Sequence, residues 1–244
     1  MMTENIGAII LGAGKGTRMK SDLPKVMMPV CGKPMIKHII ETLEKMNVRK
    51  IVTVISEEGE LVKKETAPYA TVVQKEQLGT GHAVKCARSE MDGFDGPVLV
   101  IFGDTPLITA DTFLRAAQKV KEGYAVVVLG FTPNDAGRYG RLKMKGNDLT
   151  GIVEYKDATE EERQITFCNS GCMGFDGRYL FQILDKINNE NVAKEYYLTD
   201  AVKIARDMGL KTTAIEGNAK EVASANTREE LALLEEYFKE RQNW

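Results

Sequence analysis

Residues 11–25 read Leu-Gly-Ala-Gly-Lys-Gly-Thr-Arg-Met-Lys-Ser-Asp-Leu-Pro-Lys. Gly12, Gly14 and Gly16 alternate, and Arg18 and Lys25 follow them. The run begins where the apolar segment Ile6–Leu11 stops. Glycine lets backbone N–H groups approach phosphate oxygens that a Cβ would hold off. Arginine and lysine neutralise charge that the backbone cannot. A strand that ends in such a turn is suited to a polyphosphate. Neither standard phosphate motif fits, however. A Walker A loop needs Ser or Thr directly after its Gly-Lys, and Gly16 stands there. A dinucleotide fingerprint needs a third glycine where Thr17 stands. The glycines alone are compatible with an empty turn; the two cations beside them favour a phosphate cradle.

Other residues could carry chemistry with it. Asp104 follows the apolar run Val98–Phe102 and Gly103, a position that suits a hard-cation ligand and a turn or N-cap aspartate equally. Gln74 precedes Gln77-Leu78-Gly79-Thr80-Gly81-His82. Its amide carries a donor and an acceptor, which can match the N3–H and carbonyl edge of uracil, whereas cytosine presents the reverse pattern. Thr80 also suits a helix N-cap. Tyr139-Gly140-Arg141, Glu154 and Asn169 offer acceptors, amides and backbone N–H groups of the kind that sugar hydroxyls need, although each taken singly reads rather as a solvated strand or turn residue. Thr227 and Glu230 have capping-box spacing, which leaves Asn226, just before them, free for another role. His38 and His82 lie in helical patterns and Lys33 precedes a proline; none is assigned a part in the chemistry.

The elements that must position these residues follow from the hydrophobic pattern. Ile6–Leu11, Ile51–Ile55, Thr71–Val73, Val98–Phe102 and Ala125–Phe131 are short, rich in β-branched residues and free of polar alternation, as strands buried on both faces are. Helical spacing follows Pro34 through Ile36, Ile39, Ile40, Leu43 and Met46, and recurs over His82–Met91 and Ala110–Val120. Such alternation predicts a parallel sheet with helices on both faces. Beyond Phe131 the rhythm changes. Arg141–Lys145 and Gly151–Tyr155 flank Gly146-Asn147-Asp148, which is hairpin chemistry. With the apolar run Phe167–Phe175 they predict antiparallel structure at one edge of the sheet. A last helix carries Leu231, Leu234, Tyr237 and Phe238. The expected fold class is therefore α/β, Rossmann-like, with a mostly parallel mixed sheet. In open α/β sheets ligands lie beyond the carboxyl ends of the strands. That rule selects the loops at 12–33, 74–81 and 103–109.

Composition narrows the function classes. The 244 residues hold 33 Lys and Arg against 35 Asp and Glu, a net charge of −2, which argues against a nucleic-acid surface or a polyacidic partner. No leader pattern and no membrane-length apolar run is present, so a cytoplasmic protein is expected. Cys31, Cys86, Cys168 and Cys172 lack paired metal spacing, and with only two histidines a zinc site is not expected.

In combination, these stretches resemble the sugar-1-phosphate nucleotidylyltransferases. The opening motif with Leu23-Pro24-Lys25 is that superfamily's. Gln77–Ala83, Gly140-Arg141, Gly151–Thr159, Asn169-Ser170-Gly171, Glu195–Asp200 and Asn226, in that order, resemble the uridylyltransferase half of the bifunctional N-acetylglucosamine-1-phosphate uridyltransferases. The resemblance covers nearly the whole chain. It implies one domain: a nucleotide-binding part over 1–131, a mainly sugar-binding part over 132–226 and a terminal helix over 227–244. It implies UTP and N-acetylglucosamine-1-phosphate as substrates, Mg²⁺ as cofactor, and a product used for cell-wall peptidoglycan.

Position by position, the resemblance places Leu11, Gly12, Ala13 and Gly14 on the nucleotide and Lys25 on its phosphates, with Arg18 facing the leaving phosphates. Gln74, Gly79 and Thr80 would read the base. Phe102, Gly103 and Asp104 would line the junction of nucleotide and sugar. Gly140, Glu154 and Asn169 would hold the sugar and the neighbouring ribose, and Asp104 and Asn226 the metal. Phe102 stands where the family usually has Tyr, which leaves glucose-1-phosphate as acceptor, or dTTP as donor, open. The bifunctional family continues into an acetyltransferase β-helix that builds its trimer; this chain stops after one helix, so neither acetyl transfer nor that basis for a trimer is expected. A catalytically silent binding subunit of the same fold is the alternative of another class; the presence of Lys25, Asp104 and Asn226 favours the enzyme. An oxidoreductase would need the glycine spacing that Thr17 breaks.

If Gln74 reads the base, Gln74→Ala lowers the ratio of kcat/KM for UTP to that for CTP. An unchanged ratio would mean that the base is read elsewhere.

Overall fold

Strand β1 (Glu4–Leu11) shows how the sheet is built. Ile6, Ala8 and Ile10 point into one apolar cluster, Ile9 and Leu11 into another, and all are buried. A strand with apolar side chains on both sides must be covered on both sides. The computed structural model describes residues 4–14, 21 and 23–241.

After β1 come a small antiparallel ribbon, β2 (Pro29–Val30) and β3 (Lys33–Pro34), helix α1 (Met35–Lys45) and strand β4 (Val48–Ile55). Next are α2 (Glu60–Thr66), β5 (Ala70–Val73), α3 (Thr80–Cys86), α4 (Arg88–Met91), β6 (Pro97–Phe102), α5 (Ala110–Lys121) and β7 (Val126–Phe131). The hairpin β8 (Arg141–Lys145) and β9 (Asp148–Val153) leads to α6 (Glu160–Arg163) and β10 (Cys168–Asp176). The chain ends with α7 (Gly177–Leu184), α8 (Ala201–Asp207), β11 (Thr212–Glu216) and α9 (Arg228–Glu240). The long apolar segment expected as one helix over His82–Met91 is divided at Ala87, whose ψ of 2° stops α3.

The sheet order is β11-β7-β10-β6-β1-β4-β5, with the β8–β9 hairpin attached through β10. β1 runs parallel to β4 and β6, β4 to β5, and β7 to β11. Helices α1 and α5 pack on one face; α3, α7 and α8 cover the other. The α/β class with a mostly parallel sheet is as the sequence predicts. The position of the antiparallel run Phe167–Phe175 is not. β10 lies inside the sheet, antiparallel to both β6 and β7, and only the β8–β9 hairpin stands off the main path. Burial explains the difference: Met173 and Phe175 are almost wholly enclosed, and both backbone edges of the strand find partners.

A register shift between Asn169 and Met173 bends β10 toward the ends of the parallel strands. Gly171 lies in that shift with φ +90°, and a Cβ there would come within 2.7 Å of the Phe102 ring. The antiparallel pairing of β10 with β6, in which Met173 lies opposite Val100, sets Asn169 at the same end of the sheet as Asp104. Helix α9 closes a third, smaller cluster in which Leu234 meets Val30, Met35 and Leu107. His38 of α1, buried, bonds Val30 O through Nε2 at 2.9 Å and packs on Phe238 of α9. That is a structural role, as is the Lys33–Glu41 ion pair at 2.7 Å. No helix among the described residues is long and apolar enough to cross a membrane.

Because β10 is an interior strand, truncating its central ring costs more than an edge strand would. Phe175→Ala is expected to lower unfolding free energy by about 3–5 kcal/mol, measured by chemical denaturation.

Candidate active site

The carboxyl ends of β1, β5 and β6 open onto one cavity of about 290 Å³. Leu11, Ala13 and Gly14 line it from the loop after β1, Gln74, Gln77, Gly79 and Thr80 from the loop after β5, and Phe102 and Asp104 from the end of β6. Lys25, Val26, Ala83 and Glu195 complete the wall. The rule that selected the three loops is thus met by their geometry. Gly12 faces an adjoining depression. Its backbone N–H is spent on Val54 O at 2.8 Å, which ties the glycine turn to β4. Gly103 N–H in turn donates to Leu11 O at 2.9 Å and locks the ends of β6 and β1 together. Arg18 lies outside the described residues.

Part of the cavity wall is a cation cluster. Lys25 sits on a 3-10 turn, Lys25–Met27, that follows Pro24. Its Nζ donates to the Asp104 carboxylate and to Asn226 Oδ1, the latter at 2.8 Å. The Lys25 and Asp104 side chains are largely shielded from water, at 14% and 18% exposure. Such a pair is held by mutual attraction, and removing either member leaves a partly desolvated charge. Asn226 is placed by the start of α9. Thr227 is that helix's N-cap and accepts from Glu230 N at 3.2 Å. The Glu230 carboxylate, however, takes the Asn226 N–H rather than that of Thr227. The expected capping box is therefore shifted by one residue on one side, and this shift fixes the Asn226 backbone. A complete capping box occurs instead at Thr159 and Glu162.

In the loop after β5 lies Gln74, buried, with its backbone N–H on Ile55 O at 2.8 Å. The side-chain Nε2 donates to Gly79 O at 3.2 Å and lies 3.1 Å from His82 Nδ1. The amide thus offers the cavity its carbonyl oxygen, not the donor-acceptor pair expected from its chemistry alone, because its N–H₂ is turned toward the protein. Thr80 is the first residue of α3, and Gly79 is the N-cap. The Thr80 hydroxyl accepts instead from Leu198 N at 3.0 Å. Gly81 N–H donates to Tyr196 O and Tyr196 N–H to Leu78 O, each at 2.8 Å. Segments 77–81 and 195–198 are therefore stitched together. Gly79 has φ +115°, and a Cβ on it would lie 2.7 Å from Tyr196 O, so only glycine fits that seam. Gln77 Nε2 donates to Ala13 O at 2.7 Å and holds the glycine turn against the same seam.

Gly140, Glu154 and Asn169 form a second group beside the cavity and do not line it. Asn169 N–H donates to Gly140 O at 2.8 Å, and a Cβ on Gly140 would touch the Glu154 carboxylate at 3.4 Å. Thr199 Oγ1 donates to Glu154 Oε1 at 3.0 Å. Burial pushes the Glu154 carboxyl above its ordinary pKa; the Thr199 hydrogen bond opposes this, and the Asp157 and Asp200 charges add to it. Asn169 Oδ1 accepts from Gly171 N, which leaves its Nδ2 as the free donor among the described contacts. Phe102 and Gly171, in contact, connect this group to the cavity. Arg141, read from sequence with the sugar-binding candidates, is corrected here. It is 2% exposed, and its guanidinium donates to the carbonyls of Ala136, Gly137, Tyr139 and Arg163. It braces the loop before β8.

Gln77, Val26, Ala83, Glu195, Thr199 and His82 were not singled out as site residues. Gln77, His82 and Ala83 belong to the Gln77–Ala83 motif and Glu195 and Thr199 to the Glu195–Asp200 motif, which held the signal; Val26 has none at the level of residue type.

A family model described as the MobA-like NTP transferase domain matches residues 8–150. A curated relative named Bifunctional protein GlmU, from Paramagnetospirillum magneticum, is 46% identical over 96% of this chain and 53% of its own length. Its namesake from Rhodospirillum rubrum is 50% identical over 93% of this chain and 52% of its own. The chain therefore spans about half the length of the curated relatives it matches. A solved UDP-glucose pyrophosphorylase complexed with UDP-glucose has TM-score 0.75 at 18% identity, covering 99% of this chain and 100% of that one. At that identity the likeness is one of fold.

The raised pKa of Glu154 has a definite sign for stability. The folded state holds the proton more tightly than the unfolded one, so the stabilisation is complete below the ordinary carboxylate pKa and is lost as pH rises through the folded value. Glu154→Gln keeps an acceptor for Thr199 and removes the charge. Its thermal midpoint is expected to exceed the wild-type value at pH 7, with the difference closing as pH falls toward 4, by calorimetry across that range.

Proposed function

This chain belongs to the MobA-like NTP transferase domain family, and we propose that it transfers the uridylyl group of UTP to N-acetylglucosamine-1-phosphate, releasing pyrophosphate. The observation that carries the reading is the Lys25–Asp104–Asn226 cluster, of which Lys25 and Asp104 line the same cavity as Gln74. A cation centre after β6 and an amide acceptor after β5, with β1 and β4 between those strands, suit a nucleotide lying across them, phosphates on the first and base on the second. The name of the curated relatives, over the half of their length that this chain spans, supports the same reaction class.

In this reading a phosphate oxygen of the sugar-1-phosphate attacks the α-phosphorus of UTP, and pyrophosphate leaves in line. A phosphate monoester has a second pKa of about 6, so the nucleophile is ionised at neutral pH and needs no protein base. The obstacle is the approach of two anions. Lys25 opposes it with a fixed positive charge in a partly dehydrated site, where such charge acts most strongly. Arg18, assigned from the opening motif, is the second cation proposed for the leaving phosphates. The Gln74 carbonyl oxygen receives the N3–H of the base. Glu154, Gly140 and Asn169, beside Phe102, receive sugar and ribose hydroxyls.

Asp104 and Asn226 fit a divalent cation. Their oxygens are hard donors, and in this structure they already converge on one positive charge. Mg²⁺ held there would neutralise the triphosphate and the incoming phosphate together. Asp104 and Asn226 are its proposed protein ligands.

Pyrophosphate release with UTP, Mg²⁺ and a panel of sugar-1-phosphates tests the proposal. Glucose-1-phosphate belongs in the panel because Phe102 brings no hydroxyl to the junction. The expected result is turnover with N-acetylglucosamine-1-phosphate above the others. No release with any sugar, or with other nucleotides in place of UTP, favours the silent-subunit alternative. Lys25→Ala and Asp104→Ala are each expected to cut turnover by about 10²-fold or more, with the fold verified by circular dichroism. Rates near wild type would remove that residue from the reaction.

A further inference from the structure

We propose that His82 is a positioning residue for base selection: its Nδ1 lone pair fixes which end of the Gln74 amide faces the cavity. The inference rests on the reading that Gln74 receives the base. Nothing in the motif requires a histidine to pack a helix start, and the residue touches neither the cation cluster nor the sugar-side group.

The argument is one of hydrogen-bond parity. The amide of Gln74 has one acceptor oxygen and two N–H donors. Gly79 O, 3.2 Å away, is a carbonyl and can only accept, so the atom facing it must be Nε2. That nitrogen also lies 3.1 Å from His82 Nδ1. An Nδ1–H there would set donor against donor. The two contacts are compatible only when His82 is neutral, with its proton on Nε2 and a free lone pair on Nδ1. Both amide hydrogens are then engaged, and Oε1 is directed to the cavity as a pure acceptor. A pure acceptor pairs with the N3–H of uracil and opposes the N3 lone pair of cytosine. Without His82 only Gly79 O restrains the amide, and the reversed orientation, which presents N–H₂ to the base, becomes accessible.

His82 is itself held. It is half-buried on α3, its ring lies 6.4 Å from that of Tyr196, and Tyr196 is bonded through its backbone to Leu78. The seam between 77–81 and 195–198 thus extends its order to the imidazole.

The test compares kcat/KM for UTP and CTP in three variants. His82→Phe keeps a ring against Tyr196 and removes the acceptor; the UTP-over-CTP ratio is expected to fall about fivefold to tenfold, the worth of one net hydrogen bond. His82→Asn restores an oxygen acceptor near the Nδ1 position and is expected to hold the ratio within about twofold of wild type, a rescue that a purely structural role for the ring does not predict. Equal losses for both nucleotides in His82→Phe, or an unchanged ratio, would overturn the inference. Gln74→Ala separates the two levels. If it lowers the ratio while His82→Phe does not, only the role of His82 fails; if it also leaves the ratio unchanged, the assignment of base recognition to Gln74 fails. One measurement needs no variant: imidazole ¹⁵N spectra of the wild-type protein are expected to show His82 protonated at Nε2 and bare at Nδ1. A proton on Nδ1 would sink the proposal even if His82→Phe did not fold.

Discussion

The site is organised by one ammonium group. Lys25 Nζ gathers Asp104, 79 residues away, and Asn226, 201 residues away, around a single positive charge that is mostly shielded from water. Three parts of the chain meet there: the turn after the glycine loop, the end of β6 and the start of α9. Each has its own local support. Gly103 is bonded to Leu11, Asn226 is fixed by Glu230, and Lys25 sits on a 3-10 turn that cannot shift without its proline and its own hydrogen bonds. The arrangement follows from the cost of burying charge: an ammonium withdrawn from water needs anionic and dipolar oxygens around it. The same oxygens are of the hard type that a divalent ion takes.

The part of the cavity around Gln74 is held by neutral hydrogen bonds instead. The Gln77–Ala83 motif and the Glu195–Asp200 segment, far apart in sequence, close on one another through Gly81, Tyr196, Leu78, Thr80 and Leu198. Gly79 makes that closeness possible, since any side chain there would strike the Tyr196 backbone. Gln77 continues the network into the glycine turn at Ala13. A site with charge in one part and a hydrogen-bonded amide network in another would, on the proposed reading, separate two tasks, neutralising phosphate and discriminating a base.

Much of the fold could be read from residue order. Strands β1, β4, β6 and β7 are apolar on both faces, and helices α1 and α5 carry a clear 3.6-residue stripe, so periodicity identified them. β5 was found as a strand but is not buried on both faces as expected: it lies at one margin of the sheet, paired to β4 alone, with Val73 exposed. Helix α2 escaped because only Val62 and Thr66 are buried in it. Strand β11 escaped because Thr212, Thr213 and Glu216 make it too polar to resemble an interior strand; it lies at the sheet's margin, paired to β7 alone. The apolar character of β10 was visible, but its place between β6 and β7 was not. A strand that inserts between two earlier ones is specified by which edges remain unpaired, and no local pattern carries that.

The sequence by itself determined the chemistry on offer: a glycine turn with cations near it, an aspartate after a buried strand, an amide before a second glycine turn, and the order of motifs that identifies the family. Those follow from residue type and short-range spacing, to which side-chain charge, Cβ sterics and periodicity respond directly. Only the tertiary structure decided that Lys25 is shared by Asp104 and Asn226, that Arg141 braces a loop instead of facing the sugar side, that Gln74 shows the cavity an oxygen alone, and that His82 stands behind it. Each of these depends on where hydrogen-bond partners from distant segments arrive. Donors and acceptors are paired by the whole fold at once, because a buried polar group must find a partner wherever the chain brings one.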